Sequence, residues 1–269
     1  MLADKNAGSV SQPVVAAIAR PQLPPDRVRA VALAAEEAGL GELWIWEDCF
    51  WEGGISMAGA LLGTIERLRV GVGLMPHPLR NVALAAMEIA ALDRLFPGRF
   101  VAGLGHGVQE WMGRAGARAR SPLTLAVEYL TALRALLAGQ EVSVAGDYVR
   151  LDRVRLVWPP ATVPALHVGA TGPKSLQLSG KLADGTILIA DTRPGDFSAI
   201  RDIVAEGRAA AGRPGEHQFT VFVETTTSEA AAAVDAWAGT GVHRIALQPT
   251  ADEPDPEGLV RFAAELGNA

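Results

Sequence analysis

Short apolar runs alternate with longer amphipathic segments along almost the whole chain of 269 residues, and this alternation most constrains the fold. The runs are continuously apolar, which is typical of parallel strands buried on both faces. Eight strand-plus-helix units favour the α/β class and a parallel (β/α)8 TIM barrel over an open doubly wound sheet. The predicted strands are 13–19, 42–47, 67–75, 99–105, 165–170, 184–190, 218–225 and 243–249. The predicted helices are 24–38, 54–63, 81–95, 123–139, 173–182, 194–211, 228–238 and 256–266.

One segment, 140–164, breaks the alternation. It predicts a small hairpin that turns at 145–147 and is inserted before the fifth strand. The sequence shows neither a low-complexity linker nor an internal repeat. We therefore expect residues 1–269 to form one barrel domain, with 1–12 as a flexible N-terminal tail.

Composition argues against several classes of protein. The net charge of −6 comes from interleaved acids and bases without a basic block, so we expect no nucleic-acid partner. No apolar run is long enough to cross a membrane, and the N-terminus lacks the apolar core of a signal peptide. The single cysteine, Cys49, rules out a disulfide framework and fits a reducing cytoplasm. The five histidines fall on different elements without metal-ligand spacing, so we predict no metal site.

In a TIM barrel, functional residues lie at the carboxyl ends of the strands. The segment GATGPKS (169–175), called the glycine turn here, occupies such a position after the fifth strand. Its bare backbone and the start of the following helix could bind an anion, although an ordinary strand-to-helix turn has the same sequence pattern. Because Pro173 separates glycine from lysine, it is not a P-loop. The candidate anion-binding residues of the turn are Gly169, Ala170, Thr171, Gly172 and Lys174.

Two other strand ends carry candidate catalytic residues. WEDCFWEGG (46–54) holds Asp48, which could handle a proton, although a solvated loop explains the same acids. GLGHG (103–107) lacks the spacing of a dinucleotide fingerprint. It suits either a planar ligand close to bare backbone or close strand–helix packing. We take Asp48 and His106 as catalytic candidates and Cys49 as an unreactive, half-buried thiol.

Three stretches together resemble one family, the luciferase-like flavin- and deazaflavin-dependent oxidoreductases. They are RLRVGVGLMPHPLRNVALAAMEIAALDRLFPGRFVAGLGHG (67–107), VGATGPKSLQLSGKLADGTIL (168–188) and ELWIWEDCF (42–50). The resemblance implies a barrel that binds FMN or coenzyme F-420 (F420), with the cofactor phosphate on the glycine turn. It further implies a non-prolyl cis peptide at Gly73–Leu74 behind the cofactor ring, and contacts from His106 and Gly107.

The function that the resemblance implies is hydride transfer between F420 and an unidentified small organic substrate. An FMN-dependent monooxygenase, fed by a separate flavin reductase, and a non-catalytic flavin-binding relative are the alternatives. An aldolase or isomerase barrel is disfavoured, since phosphate there usually binds after strands seven and eight. Relatives commonly dimerise, so a homodimer is expected. Cys49 stands where many relatives carry histidine, which leaves Asp48 as the polar group at that strand end.

Overall fold

A computed structural model describes residues 12–267, and eight parallel strands in it close into a barrel. Around the barrel the order is β1-β10-β9-β8-β7-β4-β3-β2, and β2 pairs with β1 to complete the ring. The predicted (β/α)8 fold is therefore confirmed. The strands are β1 (Val14–Ala19), β2 (Glu42–Ile45), β3 (Arg69–Pro76), β4 (Phe100–Gly105), β5 (Val142–Ala145), β6 (Arg150–Val154), β7 (Leu166–Gly169), β8 (Gly185–Leu188), β9 (Gln218–Thr225) and β10 (Arg244–Pro249).

Helices cover the outside of the barrel, as expected for parallel strands whose two faces are both apolar. Proline or a capping side chain marks several helix starts, such as the Asn81 side chain that accepts from the Ala83 N–H. The helices are α1 (Pro25–Ala38), α2 (Gly54–Leu62), α3 (Val82–Leu95), α4 (Gln109–Arg114), α5 (Pro122–Leu137), α6 (Pro173–Leu182), α7 (Phe197–Ala210), α8 (Ala230–Trp237) and α9 (Pro256–Gly267). The predicted elements agree with these within a few residues, but the sequence did not predict α4.

The predicted hairpin before the fifth barrel strand is confirmed as the antiparallel pair β5–β6. Its turn is fixed to α5 by the Glu128 carboxylate, which accepts from the N–H groups of Asp147, Tyr148 and Val149 at 2.9–3.0 Å. The hairpin therefore packs on the outside of the barrel and leaves the barrel strands continuous.

The barrel interior combines two large aromatic rings with small residues. Trp44 and Phe222 meet edge to face with centroids 5.6 Å apart. Ala16 and Ala246 lie in the same buried cluster, and their small side chains leave room for the rings. These side chains fill the lumen, so any ligand-sized space within the barrel must lie at one of its ends.

The predicted flexible tail 1–12 lies outside the described residues apart from Gln12. In the part of the chain that the structure describes, none of the helices has the length and apolarity needed to cross a membrane.

Candidate active site at the carboxyl end of the barrel

A cavity of about 490 Å³ lies at the carboxyl ends of the barrel strands. Its wall is mainly apolar, with Trp46, Trp111, Ile187 and Phe222 among the lining side chains. This size and character are typical of sites for cofactors and small molecules. We call this space the mouth cavity.

The mouth cavity brings together most of the residues predicted from the sequence. Eight of the ten predicted site residues line it: Asp48, Gly73, Leu74, His106, Gly107, Gly169, Ala170 and Thr171. The other two, Gly172 and Lys174, are not part of its wall. The glycine turn therefore meets the cavity at its first residues, and its second half lies beyond the rim.

Leu74 forms one wall of the mouth cavity between β4 and β7. The Gly73–Leu74 peptide is cis, as the resemblance implied, and the β3–β4 register shifts between Val72 and Met75. A Cβ on Gly105 would lie 2.7 Å from a Leu74 methyl carbon, and a Cβ on Gly169 would collide with the same methyl. The lack of a side chain at Gly105 in β4 and at Gly169 in β7 therefore allows the Leu74 side chain to occupy this position. A second non-prolyl cis peptide, Cys49–Phe50, was not predicted.

The glycine turn leads into α6, with Pro173 as the first helical residue. The Ser175 hydroxyl oxygen accepts from the Thr171 and Gly172 N–H groups at 3.3 and 3.1 Å and donates to the Gly172 carbonyl at 2.8 Å. Within residues 12–267, the Lys174 and Ser175 N–H groups have no acceptor. Two donors at the helix start thus remain for an anion, fewer than the bare turn had led us to expect.

Asp48 and Glu47 are adjacent in sequence but have different environments. Asp48 is half-buried in the cavity wall, and burial raises the pKa of its carboxyl group while the nearby Arg20 opposes the rise. Glu47 is 8% exposed, receives the Gly54 N–H at 2.7 Å and forms a two-point ion pair with Arg80 at 2.7 and 3.1 Å. Asp48 is therefore the carboxyl group available for proton transfer, and Glu47 holds the loop in place.

His106 follows β4 and lines the cavity with an exposed ring. Its Nδ1 lies 2.7 Å from the Gly107 carbonyl oxygen. Because a carbonyl can only accept, Nδ1 carries the hydrogen of that bond and Nε2 is left as the second ring nitrogen. Gly107 has a φ of +66°, in the left-handed region that favours glycine. His77, the residue that directly follows β3, is 3% exposed and is not part of this cavity wall.

Four polar or aromatic residues that the sequence analysis did not select lie at the carboxyl ends of β1, β2, β9 and β10. Trp46 and Gln248 line the cavity, and Arg20 and Glu224 contact them from outside its wall. Arg20 binds Glu224 at 3.2 Å and the Pro249 carbonyl at 2.9 Å, and lies 5.7 Å from the Trp46 ring. Gln248 donates to Glu224 at 2.7 Å. We call Arg20, Trp46, Glu224 and Gln248 the far-wall cluster. Each follows or ends a barrel strand, which was the available signal, but their contacts depend on the closure of the barrel.

Among residues 12–267, no three His, Cys, Asp or Glu side chains come together in a way that could hold a metal ion.

The fold and the mouth cavity define a class of protein, the TIM-barrel enzymes and binding proteins that hold a ligand at the carboxyl ends of their strands. The sequence matches the family model of the luciferase-like monooxygenases over residues 5–266. The chain therefore belongs to the luciferase-like monooxygenase family, which confirms the resemblance seen in the sequence.

Two relatives show how the chain compares with other sequences. It is 31% identical to the 5,10-methylenetetrahydromethanopterin reductase of Methanolobus tindarius over 193 residues, covering 72% of this chain and 59% of the relative. It is 30% identical to the F420-dependent hydroxymycolic acid dehydrogenase of Mycobacterium tuberculosis, covering 94% of this chain and 72% of the relative. The chain thus spans about three fifths of the length of the first relative.

Among solved structures, an F420-dependent secondary alcohol dehydrogenase in complex with an F420-acetone adduct superposes with a TM-score of 0.85. The match covers 94% of this chain and 98% of that one at 17% identity. At this identity the likeness supports the barrel fold alone.

Proposed function

We propose that this protein is an oxidoreductase that transfers a hydride between F420 and a small organic substrate. The observation that carries the proposal is the mouth cavity, in which Leu74 forms one wall and the glycine turn reaches the rim. The M. tuberculosis relative, described as F420-dependent, supports the choice of cofactor.

The residues present fit such a cofactor. An apolar wall suits a planar ring system, and the close approach of Leu74 to Gly105 and Gly169 leaves the central space open. At the rim, the Lys174 and Ser175 N–H groups and the positive end of the α6 dipole suit a phosphate. The exposed Lys174 side chain adds positive charge beside this helix start. We propose Gly73, Leu74, Gly107 and the glycine turn as the cofactor-binding residues.

When bound, F420 supplies a two-electron carrier that accepts or gives one hydride. The protein then has to hold the substrate carbon against the ring and handle one proton. If an alcohol carbon gives up its hydride, the hydroxyl proton leaves as the carbonyl forms, and Asp48 is the proposed acceptor. Burial raises the pKa of the Asp48 carboxyl group towards neutral pH, and a general base works best when its pKa lies near the working pH. His106 is the second proposed proton-handling group.

The family's description as monooxygenases favours a second candidate, an FMN-dependent monooxygenase. Both candidates need a phosphate at the glycine turn and a ring against Leu74. If the protein is an FMN-dependent monooxygenase, a separate flavin reductase would be a partner. A homodimer, a cytoplasmic location and a single domain over 1–269 also stay predictions.

Fluorescence titration of the purified protein with F420, and separately with FMN, tests the proposal. We expect F420 to bind one molecule per chain and more tightly than FMN. Tighter binding of FMN would transfer the proposal to the monooxygenase. Indifference to both cofactors would contradict both candidates.

A further inference from the structure

We propose that Trp46 and Gln248 form a subsite for a hydroxyl group, and that the substrate is accordingly a neutral alcohol with an apolar body. This inference rests on the proposed function, which it makes more specific. It follows from two buried polar atoms in the wall of the mouth cavity, one acceptor and one donor, that have no partner among the described residues.

Gln248 supplies the acceptor. The side chain is 3% exposed, and its Nε2 donates to the Glu224 carboxylate at 2.7 Å. A carboxylate only accepts, so this bond fixes the orientation of the amide and places Oε1 at its other end. Oε1 is buried and has no donor within residues 12–267. Buried polar side chains are usually paired, so an orphaned oxygen in a cavity wall indicates a missing ligand group.

Trp46 supplies the donor. Its indole ring is stacked on Phe222 at an interplanar angle of 16°, with Arg20 on the ring 5.7 Å from the centroid. Its Nε1–H is buried and has no acceptor in the described part of the chain. In contrast, the Nε1–H of the neighbouring Trp44 is satisfied by Glu42 at 2.7 Å. Of these two neighbouring tryptophans, the one that lines the cavity is therefore the one whose indole N–H is unpaired.

The strand order puts these two residues at the same side of the cavity. Trp46 follows β2, Gln248 is in β10, and β1 lies between these strands. β7, which leads into the glycine turn, is directly opposite β1 in the eight-membered ring. A cofactor whose phosphate is bound at the glycine turn would extend across the cavity towards β1. The subsite therefore lies next to the ring end of the cofactor, where a substrate would bind.

The two atoms select the chemical class. A hydroxyl group donates and accepts at one oxygen, whereas a carbonyl only accepts and would leave Gln248 unpaired. In the bound alcohol the hydroxyl proton is donated to Gln248, and it is transferred to Asp48 only as the carbonyl forms. The charges nearby argue against an anionic substrate, because Arg20 is already bound by Glu224 and a backbone carbonyl. Asp48 would also repel an anion. The stacked rings of Trp46 and Phe222 offer the surface for an apolar body.

Both atoms are closed off from water in this conformation. A bound hydroxyl group reaches them after small side-chain rotations, which are common at binding sites. The Glu224 and Phe222 contacts keep the amide and the indole near their present positions.

Ligand-observed NMR titration with cyclohexanol and cyclohexanone, with and without F420, tests the subsite. The two probes differ in the donor that Gln248 would recognise. We expect the protein to bind the alcohol more tightly than the ketone. Gln248→Met should weaken alcohol binding by about three- to tenfold, the size of one lost hydrogen bond, and leave ketone binding unchanged. Trp46→Phe should weaken both probes by similar factors.

Gln109→Met is the matched control, because this glutamine also lines the cavity but its Nε2 contacts backbone carbonyls at 3.3 and 3.4 Å. It should keep the alcohol preference. Should Gln248→Met not fold, the Trp46→Phe result decides by itself. The subsite is refuted if the wild type shows no alcohol preference, if Gln248→Met affects both probes equally, or if Trp46→Phe changes neither.

The titrations with and without F420 distinguish a failure of this inference from a failure of the proposed function. An alcohol preference without F420 binding would support the subsite and contradict the proposed function. F420 binding without an alcohol preference would do the reverse. Failure to bind any of the three molecules would contradict both.

Discussion

Asp48 is the residue that we propose accepts the hydroxyl proton of the substrate. The carboxyl group lies half-buried in the cavity wall, and burial raises its pKa. We expect Asp48→Asn to lower kcat by about 100-fold, the lower range for general acid–base catalysis, because the amide cannot take up a proton. The measurement is steady-state reduction of F420 by a secondary alcohol found by screening. F420 affinity should be unchanged. A variant that keeps its kcat would remove Asp48 from the mechanism.

His77 makes the stability of the protein depend on pH. Burial, and then the charge of the nearby His106, lower the pKa of His77 from 6.5 to about 3. Between these values the unfolded chain binds a proton that the folded chain does not. The stabilisation from the neutral ring is therefore fully present above pH 6.5 and is lost as the pH falls towards 3, by roughly 3–5 kcal/mol.

Urea titrations of wild type and His77→Phe at pH 7 and pH 4.5 test this effect. The free energy of unfolding of wild type should fall between the two pH values by about 2–3 kcal/mol more than that of the variant. Equal decreases would show that the histidine does not carry the effect.

At the same scale, the strand-end candidates could be predicted from the sequence, but their hydrogen-bond partners could not. Asp48, His106 and Gly169 were predicted because the barrel brings strand ends together, and they do share one cavity. Trp46 and Gln248 were not selected, because each is distinguished only by a buried polar atom that has no hydrogen-bond partner among the described residues. Pairing depends on distances across strands that are remote in sequence, which composition and spacing do not contain.

Among the elements, the loop after β2 is held by one buried carboxylate. Glu47 joins the start of α2, through the Gly54 N–H, to Arg80 before α3, and Arg80 also binds Glu88 at 2.8 Å. We expect Glu47→Ala to lower the free energy of unfolding by about 2–4 kcal/mol, since it leaves a largely buried guanidinium group, 14% exposed, without one of its two carboxylate partners. Chemical denaturation measures the change.

The matched control is Asp152→Ala. Asp152 pairs with Arg153 at 3.8 Å, but the two side chains are 91% and 78% exposed, so the change should have no measurable effect. Similar effects of the two substitutions would mean that the Glu47 ion pair is no stronger than a surface pair.

The elements themselves were largely predictable, because each barrel strand is a continuous apolar run and each long helix has an apolar face. Two differences have physical reasons. The helix α4 spans only six residues, Gln109–Arg114, which is too short for a helical period to be recognised. The strand β2 ends at Ile45, earlier than predicted, because Trp46 turns to the mouth cavity and Glu47 to its ion pair.

For the whole molecule, the closed strand order explains why a site is found at one end. Trp44 and Phe222 fill the interior, and the strand ends above them surround the mouth cavity. The glycine turn at β7 and the far-wall cluster around β1 lie on opposite sides of this ring. The side at the glycine turn suits an anion, and the side at the far-wall cluster suits a neutral polar group. A cofactor can therefore bind with its phosphate at the first side while a substrate binds at the second.

A crystal structure of the protein with bound F420 tests this arrangement most directly. The account predicts the cofactor ring in the mouth cavity against Leu74, with its phosphate within hydrogen-bonding distance of the Lys174 and Ser175 N–H groups. A ring bound outside the mouth cavity, or a phosphate held by another helix or loop, would contradict it.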